Sequence, residues 1–291
     1  MISENSHFTV ILQGGLGNQL FQFFAGRYFS MKSGIPVLFD AKGISSPKKH
    51  INSDIQDFGF TVSEEFLTSS GCLELRGTID RAEIFFTKRV PRYGALRQIN
   101  AVNDVHFSRE IRVTSGEKLV GYFQCREYFE EYRKMVGDID WSIRSERRTP
   151  IRIPTDITSR DNVVLHVRGG DFLKNQSQSI NLGINYYRAA IQSFELGKNS
   201  QIFVFTDDYN HAIEQLKGIP NLEFVDQSGL RASEVMVFMS RAHNLVISNS
   251  TFSYWSATAS EARIAAPSNW LKGAPEVHRI YPKNWTVISS N

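Results

Sequence analysis

Short apolar runs ending in polar residues recur through the second half of the chain. Val163-Val164-Leu165-His166-Val167 runs into Arg168-Gly169-Gly170-Asp171, and Ile202-Phe203-Val204-Phe205 runs into Thr206-Asp207-Asp208. Leu222-Glu223-Phe224-Val225 is a third run, and Asn244-Leu245-Val246-Ile247 is a fourth that leads into Ser248-Asn249-Ser250-Thr251. Between them apolar residues return at helical spacing: Tyr187, Ala190, Ile191 and Phe194 within 186–196, Ala212, Ile213 and Leu216 within 209–216, and Val235, Met236, Phe238 and Met239 within 232–242. Strands this short and apolar, alternating with helices, suit burial on both faces and hence a parallel sheet layered by helices. The pattern predicts a doubly wound α/β unit over about residues 158–265.

The first half opens in the same way. Phe8–Leu12 reads as a strand, Gly14-Gly15-Leu16-Gly17 as a turn, and Asn18–Lys32 as a helix with a wide apolar stripe (Leu20, Phe21, Phe24, Ala25, Tyr28, Met31). Ile35–Asp40 and Leu119–Phe123 read as strands and Glu127–Met135 as a helix, while residues 44–115 show poor periodicity. Residues 141–160, with Pro150, Pro154 and the cluster Arg144, Arg147, Arg148 and Arg152, have the composition of a linker. Two α/β domains are therefore expected, 1–150 and 151–291, facing a cleft in which a ligand would sit.

Composition narrows the classes. In 291 residues, 33 Lys+Arg against 30 Asp+Glu leave a net charge of +3, too small to argue for nucleic-acid binding. No apolar stretch approaches the ~18 residues of a membrane span, and the first residues lack the charge and apolar core of a signal peptide. Cys72 and Cys125 form neither a metal spacing nor a disulfide framework, which suggests a reduced, cytoplasmic chain.

Chemistry is expected at the strand ends, where open α/β sheets bind ligands. The first glycine turn sits before a helix N-terminus, a place for an anion. It is not a dinucleotide fingerprint, because Leu20 stands at the third glycine position. A tight turn without a ligand is the other reading. Capping would account for Asn18 and leaves Gln19 unexplained. At the end of the next strand, Asp40 is either a turn residue or a carboxylate at the site.

In the second half, Arg168 offers a planar fork suited to phosphate. Alternation puts His166 on the same face of the strand, and Gly169 and Gly170 allow close backbone approach. Asp171 would orient the arginine or cap a turn; a structural Arg–Asp pair beside a core histidine is the plainer reading. Asp207 and Asp208 read either as helix caps or as carboxylates for a base or sugar. They lack the third ligand that a metal would need. Ser250 and Thr251 open a helix where hydroxyls and N–H groups can hold phosphate. His7, His50, His106, His211, His243 and His278 fall in no motif.

Taken in order, Gly14-Gly15-Leu16-Gly17-Asn18-Gln19-Leu20-Phe21-Gln22, His166–Asp171, Phe205-Thr206-Asp207-Asp208, and Met239-Ser240 with Asn249-Ser250-Thr251-Phe252-Ser253-Tyr254-Trp255 resemble the bacterial α-1,2-fucosyltransferases of glycosyltransferase family 11. The resemblance runs from residue 8 to about 260. It implies a GT-B fold, GDP-fucose as donor, inversion at the sugar carbon, no metal, and a galactose-terminated glycan or lipid-linked oligosaccharide as acceptor. It also implies surface glycan (O-antigen) synthesis in the cytoplasm, with peripheral contact at the inner membrane face. Carried onto this chain, Arg168 resembles the arginine on the donor β-phosphate, and His166, Asp207 and Asp208 resemble guanosine contacts. Asn249, Ser250 and Thr251 fall in the diphosphate segment, and Gly15, Asn18 and Gln19 on the first domain's side of the donor site. Asp40 and Asp171 are the candidate general bases. One departure stands out: the family motif His-x-Arg-Arg-Gly-Asp has a second arginine where this chain has Gly169. Two other readings are a nucleotide-dependent oxidoreductase and a GDP-sugar- or glycan-binding protein without turnover or with another donor.

Overall fold

A computed structural model describes residues 7–41, 54–61, 66–67, 96–98, 112–144, 154–170, 181–270 and 280–290. The chain divides into two compact units, Met1–Asp140 and Trp141–Asn291, so the division falls at 140/141 rather than near residue 150.

The first unit is built on five strands: β1 (Phe8–Ile11), β2 (Val37–Asp40), β3 (Phe66–Leu67), β4 (Leu96–Gln98) and β5 (Lys118–Val120). They lie in the order β3-β2-β1-β5-β4 and every pairing is parallel. Helix α1 (Leu16–Ser33) follows β1 and is buried on nearly every side between Leu16 and Phe29. The expected apolar stripe is therefore close to a full circumference, as in a helix enclosed by its own domain. Phe24 of α1 meets Phe129 of α2 (Arg126–Val136) edge to face at 4.7 Å, and Phe23 packs on Phe39 of β2 at 4.8 Å. α1 ends where Gly34 turns left-handed (φ 72°) and returns its N–H to Ser30. The strand expected through Phe123 stops at Val120, and Phe123 itself takes a positive φ of 51°. That conformation is costly for a bulky residue, of order 1–3 kcal/mol. The ring is fully buried between Phe29 and Tyr128, which offsets it.

The second unit alternates strand and helix: β6 (Val163–Val167), α3 (Ile184–Gln192), β7 (Ile202–Thr206), α4 (Tyr209–Gln215), β8 (Leu222–Phe224), α5 (Ala232–Met239), β9 (Asn244–Val246), α6 (Thr251–Thr258), β10 (Arg263–Pro267) and β11 (Thr286–Ile288). The strand order is β11-β10-β9-β6-β7-β8, again with every pairing parallel. Counted from the first strand of the unit this is the Rossmann order 3-2-1-4-5-6. The chain runs outward from β6 through β7 and β8, then returns to the other side of β6 and runs outward through β9, β10 and β11. Right-handed crossovers place helices on both faces of such a sheet. Val163, Val164, Leu165 and Val167 are fully buried, and Tyr186, Tyr187 and Ala190 of α3 close one side of the core.

The sheet does not stop at residue 265 but continues to β11. The stretch read as a linker also belongs to the second unit where it is described: the Trp141 ring lies 5.9 Å from Trp255, and Ile143 and Ile157 are buried. No helix among the described residues is long and apolar enough to cross a membrane.

Candidate active site

In a sheet of this order, β6 and β9 are neighbours whose chains depart in opposite directions. The crevice beyond their carboxyl ends is the topological switch point, where α/β sheets bind nucleotides. The sequence places His166-Val167-Arg168-Gly169-Gly170 at the first of these ends and Ile247-Ser248-Asn249-Ser250-Thr251 at the second.

The end of β6 is held by the end of β7. Arg168 Nη1 pairs with Asp207 Oδ2, and Asp207 Oδ1 accepts the Gly169 N–H at 2.8 Å. Asp208 Oδ2 accepts the Gly170 N–H at 3.3 Å. The other Asp208 oxygen accepts the His211 N–H at 3.1 Å and so caps α4. These backbone donors, that of His211 first, hold the Asp208 carboxyl below its ordinary range. The two aspartates expected at guanosine thus close a turn and orient an arginine. The turn needs its glycines. Gly170 has φ +54°, and a Cβ on Gly169 would stand 2.5 Å from Asp208 Cβ and 3.2 Å from His211 Cδ2. Gly169 is therefore more than a missing arginine, because the β7–α4 turn occupies the place a side chain would take. His211, outside every motif in the sequence, is part of that wall. Asp171 lies outside the described residues.

At the end of β9, Ser250 caps α6 by accepting the Phe252 N–H at 3.3 Å. Asn249 is buried and donates to the Trp270 carbonyl at 3.3 Å. Thr251, the first residue of α6, is half-buried. His166, at the end of β6, is only 3% exposed, with Nδ1 2.8 Å from Ser248 Oγ and its ring 5.6 Å from Phe252. Burial, with the nearby Arg168 charge adding to it, holds the imidazole down to about 3. The unfolded chain protonates this residue near the ordinary value of about 6.5, and the folded chain does not until much lower pH. Its contribution is whole above that value and shrinks as pH falls toward 3, at about 1.4 kcal/mol per unit. Thermal melts of the wild type should lose this stability steadily below about pH 6.5. In His166→Gln, which cannot titrate, that part of the profile should flatten; equal slopes would refute a neutral buried imidazole.

The first unit brings its motif together in a different way. The N-cap of α1 is Gly15, so Asn18 lies within the helix and is not its cap. Asn18 Oδ1 accepts from Gln124 Nε2 at 3.0 Å. Gln19 is fully buried, and its Nε2 donates to the Gly14 carbonyl at 3.0 Å. Gln22, to which sequence gave no role, accepts the Gln13 N–H at 2.9 Å and donates to the Gly121 carbonyl at 3.0 Å. Amides thus bolt the loop after β1 to the loop after β5, and these strands adjoin in the sheet. Nothing in the sequence singles out Gln124. Asp40 closes β2, where its carbonyl accepts the Leu12 N–H at 2.9 Å. Cys125 is buried and its thiol donates to Glu127, while Cys72 lies outside the described residues.

Against known proteins, the model of Glycosyl transferase family 11 matches residues 118–289, more than half of the chain. The chain belongs to this family. It is thus a glycosyltransferase, and its second sheet, with the ends of β6, β7 and β9, falls inside the matched region. Over 296 residues it is 26% identical to the O-antigen biosynthesis glycosyltransferase WbnK of Escherichia coli, covering 90% of this chain and 94% of that protein. Over 294 residues it is 24% identical to an Escherichia coli alpha-1,2-colitosyltransferase, covering 94% and 90%. In fold it is similar to the fucosyltransferase NodZ from Bradyrhizobium, with TM-score 0.51 at 17% identity over 89% of this chain and 94% of that one. A NodZ crystal grown with GDP gives the same TM-score.

Proposed function

We propose that this family 11 transferase moves L-fucose from GDP-fucose to the 2-hydroxyl of a galactoside, with inversion and without a metal. The observation that carries the reading is Arg168 at the carboxyl end of β6, beside the switch point that the N-terminus of α6 also faces. As the acceptor oxygen bonds to C1 of the sugar, the C1–O bond to the β-phosphate breaks and negative charge grows on the phosphate. A guanidinium and a helix N-terminus stabilise that charge more in the transition state than in the ground state. Asp207 aims the guanidinium beforehand. The acceptor proton passes to a carboxylate, for which Asp40 and Asp171 are the residues to test. GDP in the NodZ crystals supports a guanosine diphosphate donor, and the name of WbnK supports O-antigen synthesis. A lipid-linked glycan as acceptor, met at the cytoplasmic membrane face, completes the proposal.

A second reading, the same scaffold using a different GDP-sugar, is favoured by Gly169 and by the colitosyltransferase among the relatives. Transfer assays with GDP-fucose, other GDP-hexoses and their deoxy forms, each with a β-galactoside and with or without EDTA, decide between them. The expected result is fucosyl transfer that EDTA does not slow. Turnover with another GDP-sugar alone supports the second reading, and GDP binding without any transfer overturns both.

A further inference from the structure

Behind His166 lies a run of buried hydroxyls that phosphate binding does not use. Ser248 is 1% exposed and Ser253, on α6, is fully buried. Ser248 Oγ stands between His166 Nδ1 at 2.8 Å and Ser253 Oγ at 3.4 Å. Ser253 Oγ reaches the carbonyls of Ser248 at 3.1 Å and of Ser250 at 3.2 Å.

A hydroxyl has one proton to give, and a carbonyl can only accept. The Ser253 proton goes to the carbonyls, its shorter contacts, so Ser253 Oγ can serve Ser248 only as an acceptor. Ser248 then donates to Ser253 and accepts from His166. In the opposite arrangement, with Ser248 donating to His166, lone pairs face each other across the Ser248–Ser253 contact. Only the first uses every contact. It puts the ring proton on Nδ1 and leaves a lone pair on Nε2. Nδ1 makes the only side-chain hydrogen bond of His166 among the described residues, so Nε2 remains for a ligand.

We propose that Ser248 and Ser253 are positioning residues that fix His166 as its Nδ1–H tautomer, so that Nε2 accepts a hydrogen bond from a hydroxyl or N–H of the donor nucleoside. The second clause rests on the GDP-sugar reading above; the first does not. Nε2 in this form selects for a donor group and against a phosphate oxygen. His166 and Arg168, two residues apart, thus take opposite kinds of ligand atom. The Arg168 charge reinforces the arrangement by disfavouring a second ring proton.

The experiment begins with the ligand-free wild-type chain labelled with ¹⁵N-histidine. Two-bond ¹H–¹⁵N spectra are expected to show His166 Nε2 as the unprotonated nitrogen; a proton on Nε2 overturns the proposal whether or not the chain binds GDP. GDP titration and donor kinetics then follow for wild type, Ser253→Ala and Ser253→Thr. Loss of the relay hydroxyl should weaken GDP roughly three- to tenfold, the weight of one neutral hydrogen bond, and raise donor KM while kcat holds. Thr, which keeps the hydroxyl, should restore binding. Unchanged GDP affinity in a folded Ser253→Ala overturns the positioning role, and if that variant does not fold, the wild-type spectrum still decides the tautomer. A wild type that shows the expected tautomer but does not bind GDP counts against the donor reading and against the nucleoside clause, while the relay stands.

Discussion

Arg168→Ala is expected to cut transfer by about a hundredfold or more and leave the fold in place. A charge-assisted hydrogen bond to the departing phosphate contributes roughly 1.5–3 kcal/mol, and a loss of about 3 kcal/mol from the transition state is about two powers of ten in rate. The fold survives because the side chain lies outside the core: it is 28% exposed, and the carboxylate it leaves behind on Asp207 is 31% exposed and keeps the Gly169 N–H. Water can solvate what remains. Arg168→Lys keeps the charge but not the planar fork, and should fall between the two. The measurement is kcat/KM for the GDP-sugar beside a thermal midpoint. Turnover near the wild-type rate in a folded Arg168→Ala would remove the arginine from the chemistry and with it the main support for the proposed mechanism.

Gly169→Arg, which restores the family's second arginine, is expected to impair this protein. A Cβ 2.5 Å from Asp208 Cβ is far inside contact distance, and Asp208 Cβ cannot swing away as a side-chain tip could. The β7–α4 turn must move, at a cost of about 1–3 kcal/mol for overpacking. Moving it also strains the two N–H bonds on Asp207 and Asp208 and disturbs the guanidinium that Asp207 holds. Gly169→Ala carries the same Cβ and isolates the steric part. Combining it with Asp208→Gly removes the facing Cβ, so the double variant should lose less stability than the two single losses together. Denaturant unfolding of the four proteins provides that cycle. Simple additivity would mean that the turn has room after all, and that Gly169 is an arginine lost without compensation.

β6, β7 and β9 are legible in the sequence because burial on both faces leaves no polar alternation to confuse them, and β8 because Leu222 and Phe224 alternate with Glu223. β10 and β11 are not: Ile264-Ala265-Ala266 carries little strand preference, and β11 is a three-residue edge strand that is partly exposed. Arg168 and Ser250 could be placed at strand ends from local pattern alone. The partners of Asp207 and Asp208 could not, because a carboxylate offers the same two oxygens to a ligand or to a neighbouring turn. The pairing of β6 with β7 is what brings the two aspartates to the Gly169 and Gly170 N–H groups. Asn18 can be taken for a cap from local sequence for a related reason: its partner Gln124 is 106 residues away in the chain.

That separation also bears on how the first unit is made. β1 sits at the centre of its sheet, flanked by β2 nearby in sequence and by β5 far along it. A chain emerging from the ribosome can pair β1 with β2 early, yet the other edge of β1 stays open until Lys118–Val120 has been synthesised. Contacts of such long range form slowly, since the loop must close before they give anything back. An unpaired edge on so apolar a strand is meanwhile open to wrong partners. Nascent chains cut short of β5 should therefore be the aggregation-prone ones, and the docking of β5, when Gln22 and Gln124 draw the two loops together, should come late in the assembly of this unit.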